Sequence, residues 1–161
     1  MMKTESREIG QRGYSYTVQQ LAARQSARVF VRLTKLMGKP LADAIAAQGN
    51  FQDKDAAKLF TGFVEALSEE EFEKLCTVFA KCSTVSGGDS DQPSQLQYGP
   101  KAVSLKDTQI FDWHFAGSLG EMFGWLRFCL EVNYGSFLGE IRAVLAGVLA
   151  PPVSVLQTPP E

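Results

Sequence analysis

The chain has 161 residues, of which 45% are apolar and 21% charged, and its formal net charge is −2. These values are typical of one globular domain and exclude a disordered, a collagen-like or a disulfide-dependent protein. Sixteen basic against eighteen acidic residues also argue against a generally basic nucleic-acid-binding protein.

The first predicted helix begins near Thr17. Thr17 and Gln20 have the spacing of a capping box, and apolar residues recur at near-helical spacing as far as Leu36. Gly38 and Pro40 then predict the end of this helix and the start of a short second one.

A third helix is predicted from Asp53. Ser68 and Glu71 form a second capping-box pattern, which starts a fourth helix instead of continuing the third. The fourth helix has an apolar face made of Phe72, Leu75, Cys76, Phe79 and Ala80.

Residues 83–108 are rich in Ser, Gly, Asp and Pro and lack helical periodicity. They predict a long irregular loop or, from short alternations on either side of Gly99-Pro100, a small hairpin. Residues 151–161 contain four of the seven prolines and predict a disordered tail.

The C-terminal region from Phe111 to Leu149 carries one stripe with an average step of about 3.6 residues, the α-helical period. The stripe consists of Leu119, Met122, Leu126, Leu130, Asn133, Phe137, Ile141, Val144 and Val148. Glycines at 135 and 139 favour a kink or break near Tyr134. The predicted fold is therefore all-α: a single domain over residues 1–150, with a compact bundle of five to six helices and the 83–108 loop before the C-terminal helices.

A second apolar face, made of Trp125, Phe128 and Val132, lies on the other side of this C-terminal helix. A surface helix usually keeps that side polar. Either the helix packs on both sides inside a bundle, or this face binds a partner. Two large aromatic side chains could contribute on the order of 10 kcal/mol to an interface before association costs.

Basic residues are concentrated at the N-terminus. Residues 1–39 hold eight basic and two acidic residues, a net charge of +6. Arg24, Arg28, Arg32 and Lys35 follow helical spacing and predict one basic stripe. This stripe is a solvated face or a binding surface for an acidic protein. Nucleic acid is the weaker alternative, because four charges with no aromatic residue on the same stripe make a weak nucleic-acid site.

The sequence gives little support for catalysis, a metal site or a cofactor. His114 is the only histidine, and no nucleophile motif accompanies it, so a structural histidine at a helix start is favoured over a catalytic one. Cys76, Cys82 and Cys129 lack metal-binding spacing and predict free buried thiols. The late apolar run at 143–150 is far shorter than the ~20 residues that span a bilayer, and no signal peptide is predicted.

Three segments resemble the tail assembly chaperones of long-tailed bacteriophages: FAGSLGEMF at 115–123, LEVNYGSFL at 130–138 and RLTKLMGKPLA at 32–42. The resemblance implies a small, mostly helical, non-enzymatic protein without cofactors. Such a protein binds the tape-measure protein, keeps its apolar helices soluble and helps recruit tail-tube subunits. It acts in the cytoplasm of the infected or lysogenic host and is absent from the mature virion.

On this basis we expect Trp125, Phe128 and Val132 to contribute to partner binding, with Arg24, Arg28 and Arg32 as a secondary electrostatic surface. Self-association is left open. The alternatives are a small helical DNA-binding or regulatory protein that uses the basic stripe, and a structural tail subunit that stays in the particle.

Overall fold

A computed structural model describes residues 2–36, 38, 61–62, 64–88 and 97–149, with only the helical backbone given for 136–149. The strands are β1 (Thr4–Glu8), β2 (Tyr14–Gln19), β3 (Ser83–Gly87) and β4 (Gly99–Ser104). The helices with defined ends are α1 (Ala23–Leu36), α2 (Glu69–Ala80), α3 (Thr108–Phe115) and α4 (Leu119–Leu149). The predicted second helix, most of the third and the 151–161 tail lie outside the described residues.

The four strands form one antiparallel sheet in the order β1-β2-β3-β4. The protein is therefore mixed α/β, and the prediction of an all-α bundle is wrong. The helices α2, α3 and α4 supply buried side chains that pack on one face of the sheet. The other face carries small polar side chains from β2 and β3, which are only partly covered. In this two-layer arrangement the helices bury one face of the sheet, because a sheet with one apolar face must pack that face against another layer.

The segment assigned to the start of the first helix is instead a central strand. Tyr14, Tyr16 and Val18 alternate along β2 and are fully buried, which is the period-2 pattern of a half-buried strand rich in aromatic and β-branched residues. Thr17 does not cap a helix, because its hydroxyl bonds to that of Ser6 on β1 at 2.7 Å. Helix α1 begins only at Ala23.

The segment predicted as a long loop contributes two strands. Ser83 and Val85 of β3 point into the core, and β3 joins β2 to β4. A register shift between Val85 and Gly87 interrupts the β3–β4 ladder. The strand after Gly99 therefore pairs with β3 and not with a neighbouring strand of a local hairpin.

Two helical predictions are confirmed. Ser68 caps α2, accepting a hydrogen bond from the Glu71 amide at 3.2 Å, and Leu75, Cys76, Phe79 and Ala80 are buried. Helix α4 covers the predicted C-terminal helical region over 31 residues. It is continuous through Tyr134 and Gly135, so the break expected there is absent.

Helix α4 and β3 are joined by a buried hydrogen bond. The indole N–H of Trp125 donates to the hydroxyl oxygen of Ser83 at 3.1 Å, and this hydroxyl donates to the Phe79 carbonyl at 2.7 Å. Trp125 and Ser83 are both almost completely buried. The small polar residue at the start of β3 therefore satisfies the one polar atom of the largest core side chain.

We expect Ser83→Ala to lower the free energy of unfolding by about 2 kcal/mol, because it leaves a buried indole N–H without an acceptor. A double-mutant cycle with Trp125→Phe, measured by urea unfolding, isolates this bond. Ser83→Ala should cost less in the Trp125→Phe background. Equal costs in both backgrounds would contradict a stabilising Ser83–Trp125 bond.

Candidate functional site

A buried polar network lies where the sheet meets α3 and α4. It joins Arg12 in the β1–β2 turn, Tyr16 on β2, Tyr98 before β4, His114 on α3 and Glu121 in the first turn of α4. These side chains come from five separate segments. The network therefore depends on the tertiary structure and connects most of its elements.

The hydrogen bonds have one consistent direction. The Tyr16 hydroxyl donates to a carboxylate oxygen of Glu121 in a short hydrogen bond, so it must accept from His114 Nε2 at 2.6 Å. His114 Nδ1 then accepts from the Tyr98 hydroxyl at 3.0 Å. This order assigns His114 as the neutral tautomer that carries its proton on Nε2.

A buried ion pair completes the network. Arg12 Nε donates to Glu121 Oε2 at 2.8 Å, with side-chain exposures of 20% and 6%, and the Arg12 guanidinium also bonds to the His114 carbonyl at 3.1 Å. Glu121 lies at the N-terminal end of α4, where the helix dipole favours a negative charge. The Arg12 guanidinium and the helix dipole therefore both compensate the negative charge of the Glu121 carboxylate.

Burial sets the titration of this network. It lowers the pKa of His114 to about 4, and the positive charge of Arg12 adds to this effect while Glu121 opposes it. Burial also raises the pKa of Tyr98 to about 12 and that of Tyr16 further above its ordinary value. His114 is therefore neutral at pH 7, and both of its ring nitrogens are occupied.

This arrangement joins elements of the fold, and His114 at its centre is almost completely buried. Its burial and the hydrogen bonds at both ring nitrogens agree with the interpretation of a structural histidine. Its position is different from the expected one, because it lies at the C-terminal end of α3 and not at a helix start.

The β1–β2 turn approaches Glu121 so closely that a side chain at residue 10 would displace the Glu121 carboxylate. Gly10 has a φ of +77°, and a Cβ built there would lie 2.6 Å from Glu121 Oε2. Gly124, on the next turn of α4, is equally close to this hairpin, with 2.8 Å between a built Cβ and Ile9 Cγ2. Both glycines allow the hairpin to pack against α4.

The LEVNYGSFL segment holds α4 against the N-terminal part of the chain. Glu131 accepts hydrogen bonds from Arg7 of β1 at 2.6 Å and from Arg127 at 2.9 Å. Asn133 accepts from the Leu21 amide at 2.8 Å, just before α1, and the Tyr134 hydroxyl donates to the Ser26 carbonyl at 3.0 Å. The polar interruption at Asn133 therefore satisfies backbone at the turn from β2 to α1.

The structure places the three apolar residues expected to bind a partner inside the core. The exposed fractions of Trp125, Phe128 and Val132 are 0%, 1% and 3%. Their burial agrees with the first of the two interpretations of the second apolar face, in which the helix packs on both sides. In the folded chain they present no surface to a partner.

The basic stripe, in contrast, is exposed. Arg24, Arg28 and Lys35 are open to solvent along α1, and Arg32 lies 3.6 Å from Glu71 Oε2 on α2. A row of small exposed apolar residues lies beside these charges and ends at Val31. The exposed fraction of Val31 is 51%. We call this surface the α1 basic face, defined by Arg24, Arg28, Val31, Arg32 and Lys35.

The described residues also bear on a metal site, a membrane-spanning helix and reactive thiols. No three His, Cys, Asp or Glu side chains come together as metal ligands among the residues that the structure describes. Within those residues no helix has the length and apolarity needed to cross a bilayer. Burial raises the pKa of Cys76 to about 12 and of Cys82 to about 11, so these thiols are protonated at pH 7.

Sequence reasoning found His114 but missed its partners. Tyr16 and Tyr98 were not singled out, and Arg12 and Glu121 were counted only as charges. The available signal was the alternation of Tyr14, Tyr16 and Val18, which marks a strand with one buried face. No local pattern relates Arg12 to Glu121, because 109 positions separate them.

Gly10→Ala should destabilise the protein more than Gly117→Ala. Both glycines have positive φ, but a Cβ at Gly117 meets nothing within 4 Å. We therefore expect Gly117→Ala to lower the free energy of unfolding by about 1 kcal/mol through backbone strain. Gly10→Ala should lower it by about 3 kcal/mol, because the Arg12–Glu121 pair is also displaced. Equal losses in thermal or urea unfolding would contradict this close approach.

The free energy of unfolding should decrease as the pH is lowered through the range in which His114 is protonated in the unfolded chain but not in the folded one. The pKa of His114 is about 4 in the folded state and 6.5 in the unfolded state. Its contribution to the free energy of unfolding is therefore fully present above pH 6.5. As the pH falls from 6.5 to 4, about 3 kcal/mol is lost. Urea unfolding across this range measures the loss. His114→Gln should have a flatter profile between about pH 6.5 and 5, and identical slopes would contradict the assignment.

The chain matches one known protein family over most of its length. The family profile described as "Phage tail assembly chaperone protein, TAC" matches residues 12–146. No curated protein and no solved structure has significant similarity to the chain. The match includes the buried network from Arg12 to Glu121, the LEVNYGSFL segment and the α1 basic face. Because it covers most of the chain, the protein belongs to the phage tail assembly chaperone family.

Proposed function

We propose that this chaperone binds the tape-measure protein during tail assembly and helps recruit tail-tube subunits to it. The observation that carries the proposal is the family match over residues 12–146. The chaperone acts in the cytoplasm of the infected or lysogenic host and leaves the growing tail before the virion is complete. The two alternatives, a DNA-binding protein and a structural tail subunit, have no comparable support.

The α1 basic face is the proposed contact surface for the tape-measure protein. Arg24 and Arg28 are one helical turn apart and exposed, so both can reach acidic residues on one partner. Val31 adds an exposed apolar contact on the adjacent ridge of the helix. This combination suits a helix whose apolar stripe is flanked by Asp or Glu.

The charge distribution supports an acidic partner. Helix α1 carries four basic residues and no acidic one, although the whole chain carries −2, so positive charge is concentrated along this helix. Such separation steers an oppositely charged segment toward this face and makes its binding sensitive to salt. Arg32 contributes less, because Glu71 already compensates its charge.

Reversing the charges of Arg24 and Arg28 tests this surface. We expect Arg24→Glu combined with Arg28→Glu to weaken binding of the co-expressed tape-measure protein by about tenfold. Co-purification at low and high salt, followed by titration with the soluble tape-measure segment, measures the change. The control is Lys101→Glu with Lys106→Glu, which makes the same charge change at exposed positions near β4. It should bind like the natural protein.

The outcomes separate the surface from the function. If the natural protein captures no tape-measure protein, the proposed function is wrong. If it does, but the α1 double variant binds as tightly as the control, tape-measure binding stands and the α1 basic face is not the contact surface. Circular dichroism of each variant confirms that the fold is retained.

A further inference from the structure

The outer edge of β1 is an open strand edge. The sheet ends at β1 on one side and at β4 on the other, and nothing in the described part of the chain pairs with the outer side of β1. The β4 edge contains Pro100 and lies next to a register shift, and both features discourage further pairing. β1 has neither a proline nor a register shift.

The hydrogen-bond pattern identifies the free backbone groups of β1. The Lys3 carbonyl accepts from the Gln20 amide at 2.8 Å, and the Ile9 amide donates to the Tyr14 carbonyl at 3.4 Å. Antiparallel pairing alternates, so the odd-numbered residues of this strand direct their backbone groups toward β2. Thr4, Ser6 and Glu8 therefore direct their N–H and C=O groups outward.

The side-chain charges of β1 are complementary to those of a second β1. In an antiparallel pair centred on Ser6, each Glu5 lies opposite Arg7 of the second copy, and Thr4 lies opposite Glu8. Ser6 then exchanges two backbone hydrogen bonds with its counterpart. Glu5 and Arg7 fall at the closer, non-hydrogen-bonded positions, where cross-strand charge pairs are most effective.

Other symmetric registers are less favourable. A pair centred on Glu8 places two Glu8 carboxylates opposite each other. A pair centred on Thr4 leaves Arg7 and Glu8 near or beyond the end of the second strand. Only the register centred on Ser6 overlaps the whole of β1 and also places Glu5 opposite Arg7.

Arg7 is already held in a position suited to this contact. Its guanidinium lies 4.4 Å from the Phe128 ring centroid and bonds to Glu131 at 2.6 Å, yet 48% of the side chain is exposed. Glu5 forms an ion pair with the exposed Lys3 on the same strand. A second Glu5 could therefore reach the open side of Arg7, whose guanidinium has further donors.

We propose that β1 pairs with β1 of a second copy of this chain, forming a two-fold symmetric dimer with one continuous eight-stranded sheet. The occupant is a second copy because the edge is complementary to itself in both hydrogen bonding and charge. This pairing does not rest on the proposed function.

Ser6→Pro tests the backbone pairing directly. It removes an outward N–H without removing a backbone hydrogen bond between β1 and β2, and proline is tolerated at such edge positions. The bond between the Ser6 and Thr17 hydroxyls is lost equally in Ser6→Ala, which serves as the control. We expect sedimentation equilibrium over a wide protein concentration range to detect a dimer of the full chain. Ser6→Pro should raise its dissociation constant by about tenfold or more, because each interface loses two hydrogen bonds. Ser6→Ala, which keeps the N–H, should dimerise like the natural protein.

A charge variant tests the register without depending on proline. Glu5→Lys places an ammonium group opposite the Arg7 guanidinium and should weaken the dimer, whereas Glu8→Lys makes the same charge change opposite Thr4 and should not. Circular dichroism checks folding of each variant. A natural protein that is monomeric at all concentrations overturns the proposal. So does an equal dimer affinity for Glu5→Lys and Glu8→Lys.

Discussion

The buried ion pair between Arg12 and Glu121 is the constraint on which the arrangement of the sheet and its helices depends. A carboxylate at this depth requires a cation and hydrogen-bond donors, and they come from the β1–β2 turn and from Tyr16. Tyr16 is in turn bonded to His114, which fixes α3. Satisfying one buried charge therefore sets the positions of the hairpin, the central strand and two helices together.

Helix α4 is the element that these interactions share. Its first turn supplies Glu121, its middle supplies Trp125 to the core, and Asn133 satisfies backbone before α1. The helix meets the sheet on one side and other helices around it, which explains its apolar residues on two faces. A second apolar face on a helix is evidence of a docking surface only if the fold leaves that face uncovered. Here the sheet covers it.

The two surfaces proposed for partners are a charged helix face and a backbone edge. The α1 basic face presents side-chain charge, and the outer edge of β1 presents unpaired peptide groups. These two surfaces differ in the partner they suit, because charge selects an acidic chain while a strand edge selects another strand.

The sequence by itself predicted features that depend on neighbouring residues. The Ser68 cap, the buried face of α2 and the helical region from Leu119 onward were recognisable, as was the family. Helix capping and helical periodicity act within a few residues, so local patterns contain this information.

Only the tertiary structure decided the fold class and the site. β1 is a short charged edge strand, and β3 and β4 are rich in small residues, so none of them has a strong periodic signal. Their pairing is held by contacts between distant segments, such as Tyr16 with Val85. The partners of His114 and the burial of Trp125 likewise follow from which face the sheet covers. Helical spacing alone describes a face but does not say what packs on it.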